Sequence, residues 1–337
     1  MSEKRRILIT GGRGYLSTLL ISRLLSDYDN VELVVEIDPK NNYTWKYRDD
    51  KVIHISGNLL DESLNLVKLL NDYRIDTVVH TAWAFNPRRD HKEQWELDIE
   101  GTRRAFVSAL GSTNVEHFVY LGSTTAYGQF PRETKLLKEE EYKSWTKCDG
   151  HTFNPREYQY SVDKSIVDEH FQRWTGRDGD LMNIFWIRGA IVLGPSIPLN
   201  NVVADMAQTF GPIMFRVAGY APPMQFISEF DMTEILYRAT MEKWSGALNV
   251  SGDGPVHYSE IVKLLGKKEI VLPQWILRPV CGLLWKFKLI PFPPNILNLI
   301  VYPWLGDNTK LKTVYGYIPR DSSSDAVLQL AKRLHRF

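Results

Sequence analysis

A tyrosine and a lysine stand four residues apart in this sequence, at Tyr160 and Lys164. On a helix, this spacing places both side chains on one face. A phenol with its ordinary pKa of about 10 is a poor base at neutral pH, but a positive charge within a few ångströms favours the phenolate. The pair therefore predicts a general acid/base that exchanges a proton with an alcohol or carbonyl oxygen.

Position in the chain singles out this pair, because the spacing alone is not specific. Tyr47 and Lys51 have the same spacing in a charged stretch, and we assign them no function. Tyr160, by contrast, follows the hydroxyl-rich run 122–128, which begins where an apolar strand should end and where ligands bind in parallel sheets. Ser123 in that run is a candidate donor of a hydrogen bond to the reacting oxygen. The alternative is that these are ordinary helix-surface and loop residues.

A glycine-rich turn lies near the N-terminus, between an apolar run and an amphipathic helical pattern. Its glycines permit backbone angles closed to other residues and let a pyrophosphate approach closely. The first amides of the following helix, and its dipole, favour phosphate at the same place. A simple tight turn is the alternative interpretation. The residues predicted to contact a dinucleotide here are Gly11, Gly12, Arg13, Gly14, Tyr15 and Leu16.

Two charged residues bear on which dinucleotide is bound. Asp38 ends the second apolar run, where an acid accepts hydrogen bonds from the ribose hydroxyls and repels a 2′-phosphate, which favours NAD. Arg13 has the opposite effect, because a guanidinium in the turn could hold that phosphate. We expect NAD, with NADP as the alternative.

The first half of the chain alternates short apolar runs with helix-period patterns. This alternation predicts an α/β protein with right-handed crossovers and a doubly wound parallel sheet, the Rossmann arrangement. We expect a dinucleotide-binding domain over 1–195, with later segments at about 215–250 returning to it, and a smaller substrate lobe mainly over 196–337. The predicted strands cover 6–10, 32–37, 52–55, 77–81 and 117–121.

Composition excludes several classes of protein. The contents of 44% apolar and 24% charged residues are ordinary for a soluble globular protein. The net charge of +1 lacks the excess of positive charge that is typical of proteins that bind nucleic acid. We therefore expect a small-molecule partner. Cys148 and Cys281 lie far apart and outside metal-ligand spacing, so we expect free thiols and no metal. Gly11 and Gly12 interrupt the only apolar run near the N-terminus, which argues against a signal peptide and favours a cytoplasmic location.

The segment 271–305 is rich in aromatic and aliphatic residues, and no charge occurs from 289 to 306. Its several prolines argue against a membrane-spanning helix, whose backbone must satisfy its own hydrogen bonds. We expect an irregular, well-packed part of the small lobe. The alternatives are a wall of a substrate pocket or a lip that touches membrane lipid.

Further motifs complete a pattern that resembles the extended short-chain dehydrogenases/reductases, specifically the NAD-dependent epimerase/dehydratase family. The resemblance covers nearly the whole chain and is specific in combination. The matching segments are the turn 10–17, the adenine-contacting 57–61, 79–83 beside the cofactor, 98–102, Ser123 with Tyr127 and Gly128, Tyr160 with Lys164, Arg188 with Gly194 and Pro195, 225–231 and 307–319.

The resemblance implies a role for each of these residues. Tyr160 would be the acid or base and Ser123 would steady the substrate oxygen, while Lys164 would hold the nicotinamide ribose and lower the tyrosine pKa. The family's dimers pair two helices from each subunit, which 98–110 and 156–174 would supply, so a homodimer is expected. Further cofactor contacts implied by the resemblance are Asn58, Leu59, Ala82 and Trp83.

Three departures from the family pattern affect the cofactor side. Ser17 replaces the third glycine, whose role is close packing of helix on strand, so a slightly wider turn is expected. Asn58 replaces an aspartate and should still reach adenine with its amide. Asp98 replaces an asparagine that helps to order the active-site backbone and its proton path.

Four departures affect the substrate side. Thr124 and Thr125 stand where sugar-nucleotide dehydratases carry an Asp-Glu pair, so 4,6-dehydration lacks its acid and base. Ile191 replaces a substrate-binding asparagine. Met224 replaces an arginine that commonly clamps the diphosphate, and an apolar residue cannot supply that bidentate grip.

The sequence thus favours an NAD(P)-dependent oxidoreductase or epimerase that transfers hydride at a secondary alcohol or ketone carbon, with a sugar or sugar-nucleotide derivative as substrate. An apolar alcohol, lipid-like or sterol-like, is the alternative substrate. A non-catalytic dinucleotide-binding protein is the alternative of another class, and membrane-surface contact through 271–305 is a weaker one.

Overall fold

The computed structural model describes residues 4–39, 49–128, 134–143 and 157–335. Tyr47 and Cys148 lie outside the described residues. The strands are β1 (Arg5–Thr10), β2 (Val31–Asp38), β3 (Val52–Ser56), β4 (Thr77–His80), β5 (His117–Ser123), β6 (Asn183–Gly189), β7 (Ile191–Leu193), β8 (Ile213–Val217), β9 (Pro223–Met224), β10 (Phe226–Ser228), β11 (Gly246–Val250), β12 (Val256–His257) and β13 (Lys268–Leu272).

The α-helices are α1 (Tyr15–Leu25), α2 (Leu66–Asp72), α3 (His91–Trp95), α4 (Gly101–Leu110), α5 (Gln159–Asp178), α6 (Val202–Gln208), α7 (Glu229–Glu242), α8 (Tyr258–Leu264), α9 (Gln274–Lys286), α10 (Thr309–Thr313) and α11 (Ser323–Leu334). A π-helical turn, Glu96–Glu100, joins α3 to α4. Short 3-10 helices cover Thr124–Tyr127, Glu139–Glu141 and Pro294–Ile300.

Seven strands of the described chain form one sheet in the spatial order β11-β6-β5-β4-β1-β2-β3, and every adjacent pair is parallel. The chain moves outward from β1 on one side to β3 and on the other to β6, which is the doubly wound arrangement. The predicted fold class is confirmed. The five predicted strands are all present, with ends within two residues of the expected positions.

Apolar packing on both faces explains why the inner parts of the sheet strands are rich in Val, Ile, Leu and aromatic residues. On one face, α1 packs against α7 and buries Leu20, Ile21 and Leu24 completely. On the other face, aromatic residues of α4 and α5 pack on β5 and β6, with the rings of Phe106 and Trp174 stacked at 4.1 Å. The strands are therefore held rigidly, and so are the loops at their carboxyl ends.

The later chain divides its contacts between this sheet and a smaller lobe. α7 and β11 return to the main sheet, whereas β8 pairs with β13 in a separate two-stranded sheet. β7 pairs with β10 and β9 with β12 in two further small sheets. The boundaries of the two expected domains stay a prediction.

The segment 271–305 forms α9 and a 3-10 helix whose inner residues join the core of the small lobe. Cys281 is a buried free thiol of this core, and burial raises its pKa. None of the helices in the described part of the chain combines the length and the apolar character that crossing a bilayer requires. The expected homodimer stays a prediction.

Candidate active site

The glycine-rich turn between β1 and α1 approaches two neighbouring strands closely. Gly11 has φ +68°, and a Cβ there would lie 2.7 Å from the Ala82 Cα, at the end of β4. A Cβ on Gly12 would lie 2.5 Å from the Cβ of Glu36, on β2. Side chains at either position would force the backbone out of this path. The turn is therefore a cradle that only glycine can form here.

The helix that follows this turn begins without a side-chain cap. Gly14 is the N-cap of α1, and no side chain in the described part of the chain bonds to the helix's first amides. These amides and the helix dipole suit a phosphate group. Ser17, in place of the third glycine, is buried, and its Oγ lies 2.6 Å from the Thr81 Oγ1. This hydrogen bond accommodates the extra side chain at the junction of α1 and β4.

Two acids of β2 surround Arg13. Its backbone N–H donates to Asp38 Oδ2 at 3.3 Å, and its Nε lies 3.4 Å from Glu36 Oε1. The Glu36 carboxylate is fully buried and also contacts His54; burial raises its pKa, while His54 and Arg13 oppose the rise. Asp38 ends β2 as predicted, beside the turn. The guanidinium that could hold a 2′-phosphate thus already lies against an acid.

The other predicted cofactor contacts follow neighbouring strands. Asn58 is exposed beyond β3, where its Oδ1 accepts from the Leu60 N–H at 3.0 Å, and Leu59 beside it is buried. Ala82 lies directly beneath the turn, and Trp83 extends from the end of β4 toward Lys164. All four therefore lie along the edge formed by the carboxyl ends of β1, β3 and β4.

Lys164 lies in the interior, on the first turns of α5. Its Nζ donates to Tyr120 Oη at 3.0 Å and to the Leu121 carbonyl at 2.9 Å, and it lies 3.4 Å from the centre of the Trp83 ring. Burial lowers the pKa of Lys164 to about 7, and the carboxyl groups of Asp98 and Asp163 oppose that shift. The lysine is thus held rigidly and can change its charge near neutral pH.

Tyr160 is the second residue of α5, and its ring packs edge-on against Phe85 and Trp83 at 5.5 and 6.2 Å. Burial raises the pKa of Tyr160, hydrogen bonding with Ser123 opposes the rise, and Asp98 adds to it. The Lys164 Nζ lies 5.7 Å from the centre of the tyrosine ring. Lys164 was expected to lower the pKa of Tyr160, but burial sets the direction of the shift in the described site, and Lys164 is not among its causes.

Ser123 is the last residue of β5 and caps the 3-10 helix Thr124–Tyr127. Its Oγ accepts from the Thr125 N–H at 3.2 Å and from the Thr125 Oγ1 at 3.0 Å. Thr125 engages both acceptor positions, so the Ser123 hydroxyl is left to act as a donor. In the described site it hydrogen-bonds with Tyr160, and a bound substrate oxygen would be a second acceptor for the same proton.

One cavity brings these groups together. Its lining includes the start of α1 with its N-cap, and the three predicted catalytic residues: Gly14, Tyr15, Leu16 and Ser17, and Ser123, Tyr160 and Lys164. The remaining wall is mostly apolar. It includes Phe85, Ile191, Val202, Val203, Leu299 and Trp304.

Comparison with known proteins agrees with this geometry. The model of the NAD dependent epimerase/dehydratase family matches residues 7–211. The chain belongs to this family. At this level the predicted resemblance, the NAD cofactor and the prediction of an enzyme are confirmed.

Curated relatives match over parts of their length. Noscapine synthase SDR1 of Papaver somniferum is 25% identical over 234 residues, which are 61% of this chain and 64% of that protein. A dTDP-D-glucose 4,6-dehydratase of Bos taurus is 29% identical over 38% of each chain. The chain thus matches less than two thirds of the length of these relatives.

Solved structures match over nearly the whole chain. The UDP-glucose 4-epimerase of Thermotoga maritima, in a structure with UDP-glucose, has a TM-score of 0.71 at 16% identity and covers 98% of this chain and 99% of its own. WbmG of Bordetella bronchiseptica, in complex with NAD and UDP, has a TM-score of 0.70 at 17% identity and covers 100% and 96%. At these identities the similarity shows the fold.

Asp98 stands where the family has an asparagine, and the structure shows which groups its carboxylate contacts. Asp98 is fully buried on the π-helical turn, and its Oδ1 accepts from the Ala84 N–H at 2.7 Å, which secures the loop that carries Trp83 and Phe85. Its Oδ2 has no hydrogen-bond partner among the described residues. Burial raises the pKa of Asp98 to about 7.

A second buried acid, Asp163, was missed by the sequence analysis. Its Oδ1 accepts from Gln159 Nε2 at 2.6 Å, its Oδ2 has no hydrogen-bond partner in the described part of the chain, and burial raises its pKa. The signal was present, because an acid directly precedes Lys164 on the same helix. Asp98, Asp163 and Lys164 therefore form a coupled buried cluster behind Tyr160.

Proposed function

We propose that this protein transfers hydride between NAD and the carbon of a secondary alcohol or ketone. A single observation supports this most strongly: Gly14 at the end of the glycine turn, the first residues of α1, Ser123, Tyr160 and Lys164 all line one cavity. The turn would hold the pyrophosphate, Asp38 the adenosine ribose and Lys164 the nicotinamide ribose. When bound, NAD supplies the hydride acceptor or donor.

Tyr160 handles the proton that must move with the hydride. In the oxidation, the alcohol O–H proton passes to the Tyr160 phenolate as the C–H hydride leaves, and a ketone forms. In the reverse direction, the phenol returns the proton to the carbonyl oxygen. Ser123 donates a hydrogen bond to the same oxygen, which stabilises its developing charge. Burial of Tyr160 favours the protonated phenol, so the resting site suits the reduction.

We infer that the part of the substrate that does not react is largely apolar. Among the described residues that line the cavity, Lys164 is the one charged side chain. Ile191 lies on the wall where the family's asparagine would stand, and Met224 is buried at the place of the diphosphate clamp. A diphosphate needs charge-assisted partners, which the described residues of this wall do not offer. A lipid-like or sterol-like alcohol fits it better.

A sugar derivative is the second candidate substrate. The family and several relatives named as UDP-glucose 4-epimerases or dTDP-glucose dehydratases support it. The noscapine synthase among the relatives is not named for a sugar nucleotide, which supports the first candidate. For 4,6-dehydration, Thr124 and Thr125 supply neither the acid nor the base.

The test is an assay of the purified protein with NAD and a panel of apolar secondary alcohols, matched ketones with NADH, and UDP-sugars. We expect reduced nicotinamide to accumulate with an apolar alcohol. Interconversion of UDP-sugars without such accumulation would instead establish the second candidate, because an epimerase retains its reduced cofactor.

Tyr160→Phe should reduce turnover by a factor of about 10² to 10⁴, the usual contribution of a general acid/base, while the Kd for NAD stays within about threefold. Tyr158→Phe is the matched control, since Tyr158 is a neighbouring buried tyrosine that lines the same cavity. This control should keep most of the activity. If no reaction depends on Tyr160, the proposal fails and a non-catalytic dinucleotide binder gains support.

A further inference from the structure

Helix α9 presents an apolar stripe to solvent. Trp275, Pro279, Leu283 and Phe287 recur every four residues, and we call this set the α9 stripe. Trp275 is 76% exposed, Leu283 58% and Phe287 62%. Single exposed apolar residues are common, but large ones aligned along a helix indicate an interaction site.

The buried side of the same helix rules out a partly folded segment as the explanation. Leu277 and Cys281 are buried in the core of the lobe, and α9 packs against the 3-10 helix Pro294–Ile300. At its C-terminal end, the Trp285 carbonyl accepts from an Arg89 N–H at 2.8 Å. The stripe is therefore the outward face of a well-anchored helix.

The charged residues of the segment that carries the stripe have one sign. Residues 270–306 contain no Asp or Glu, but they contain Arg278, Lys286 and Lys288. Lys286 and Lys288 are exposed and flank Phe287. The net charge of the whole chain is only +1, whereas this stretch alone has a net charge of +3. Aromatic and aliphatic residues beside lysines are the composition of helices that lie in the interface of an anionic membrane.

The stripe also lies close to the cavity. The 3-10 helix against which α9 packs carries Leu299, which lines the cavity. Phe85 also lines the cavity, four residues before Arg89, whose guanidinium lies 3.8 Å from the centre of the Trp285 ring. Helix α9 thus contacts two segments that carry cavity-lining residues.

We propose that the α9 stripe docks on the surface of an anionic phospholipid bilayer. Trp275, Leu283 and Phe287 enter the interface, and Lys286 and Lys288 meet the lipid phosphates. The docking is independent of the proposed reaction. Delivery of an apolar alcohol from the bilayer into the cavity is a consequence that rests on the proposed function.

The experiment is co-sedimentation of the full chain with vesicles of phosphatidylcholine alone and of phosphatidylcholine mixed with phosphatidylserine. We expect binding to the mixed vesicles that weakens as salt is raised, because the lysine contribution is screened. Failure to sediment with either vesicle overturns the proposal. It leaves the proposed reaction untouched, since turnover is measured without lipid.

Two single variants form a matched pair. Trp275 on the stripe is 76% exposed. Leu181, which lies just before the amino-terminal end of β6, is 75% exposed. Trp275→Ser should weaken vesicle binding at least about tenfold, whereas Leu181→Ser should leave it within about twofold. Both should keep the NAD affinity of the parent protein, which shows that the fold is intact. Equal losses in the two variants would contradict the proposal.

The contribution of the lysines to vesicle binding is tested separately. Each of Lys286→Ala and Lys288→Ala should weaken binding to the mixed vesicles by about fivefold and reduce its salt dependence, since a lysine near an anionic surface contributes about 1 kcal/mol.

The alternative partner for the stripe is a second copy of the chain. If Trp275→Ser lowers the mass in solution from dimer to monomer and leaves vesicle binding unchanged, the stripe is a subunit interface and the membrane proposal is wrong.

Discussion

The two ends of the candidate site are built in different ways. The end proposed to hold the cofactor consists of backbone: strand ends, a glycine turn and the start of α1, with Gly11 close against Ala82. The other end consists of side chains brought from separate parts of the chain, among them Ile191, Leu299 and Trp304. A backbone site depends on local residue types and leaves a motif in the sequence, whereas a side-chain wall depends on tertiary contacts and leaves none.

This contrast predicts that one added methyl group damages the cofactor end severely. In Gly11→Ala, the new Cβ meets the Ala82 backbone at 2.7 Å and the residue must hold φ +68°. We expect NAD affinity to fall by about tenfold or more, since backbone strain of about 1–3 kcal/mol must be relieved by moving the turn. Calorimetric titration with NAD measures the change.

Gly176→Ala is the control for that variant. Gly176 lies within α5, and a Cβ there would meet nothing within 4 Å. Alanine is the better helix former by about 0.5–1 kcal/mol, so this variant should be slightly more stable and bind NAD normally. Equal NAD affinity in the two variants would show that the turn does not hold the cofactor.

At the opposite end, we expect a change of polarity to alter substrate preference and leave the cofactor alone. Ile191→Asn restores the family's residue on the apolar wall. We expect kcat/KM for an apolar alcohol to fall by about 10- to 100-fold, because covering an amide with an apolar substrate that offers it no partner costs about 1–3 kcal/mol. Ile191→Val removes only one methylene and should cost far less. A gain of activity on UDP-sugars, with none lost on alcohols, would contradict the apolar assignment.

The smallest expected effect concerns the buried acids whose charges act on Lys164 and Tyr160. Asp98 raises the pKa of Tyr160, so Asp98→Asn should lower it, and the rising limb of the pH profile for alcohol oxidation should move to lower pH by up to about one unit. The asparagine carbonyl oxygen can still accept from the Ala84 N–H.

Asp163→Asn serves as the comparison for this shift. Asp163 acts on the pKa of Lys164 but is not among the groups that shift Tyr160, so its variant should move the rising limb less. The measurement is kcat/KM against pH for the parent and both variants. A limb that moves to higher pH in Asp98→Asn would refute the assigned coupling.

Much of the cofactor end was predictable because its residues are neighbours in sequence. The strands, the glycine turn, Asp38, and the spacing of Tyr160 and Lys164 each follow from local patterns, and the structure brings them to one edge of the sheet. The pKa of Tyr160 was not predictable, because spacing indicates a nearby ammonium but not how deeply the ring is buried.

The sequence by itself determined the doubly wound sheet, the glycine turn and the helical spacing of the proposed acid/base pair, because period, glycine placement and helical spacing are local properties of a chain. Only the tertiary structure decided that Asp98 and Asp163 lie buried beside Lys164, and that 271–305 turns one face into the lobe and the other outward. Burial and charge coupling arise between residues distant in sequence, and their strength depends on how the folded chain excludes water from them.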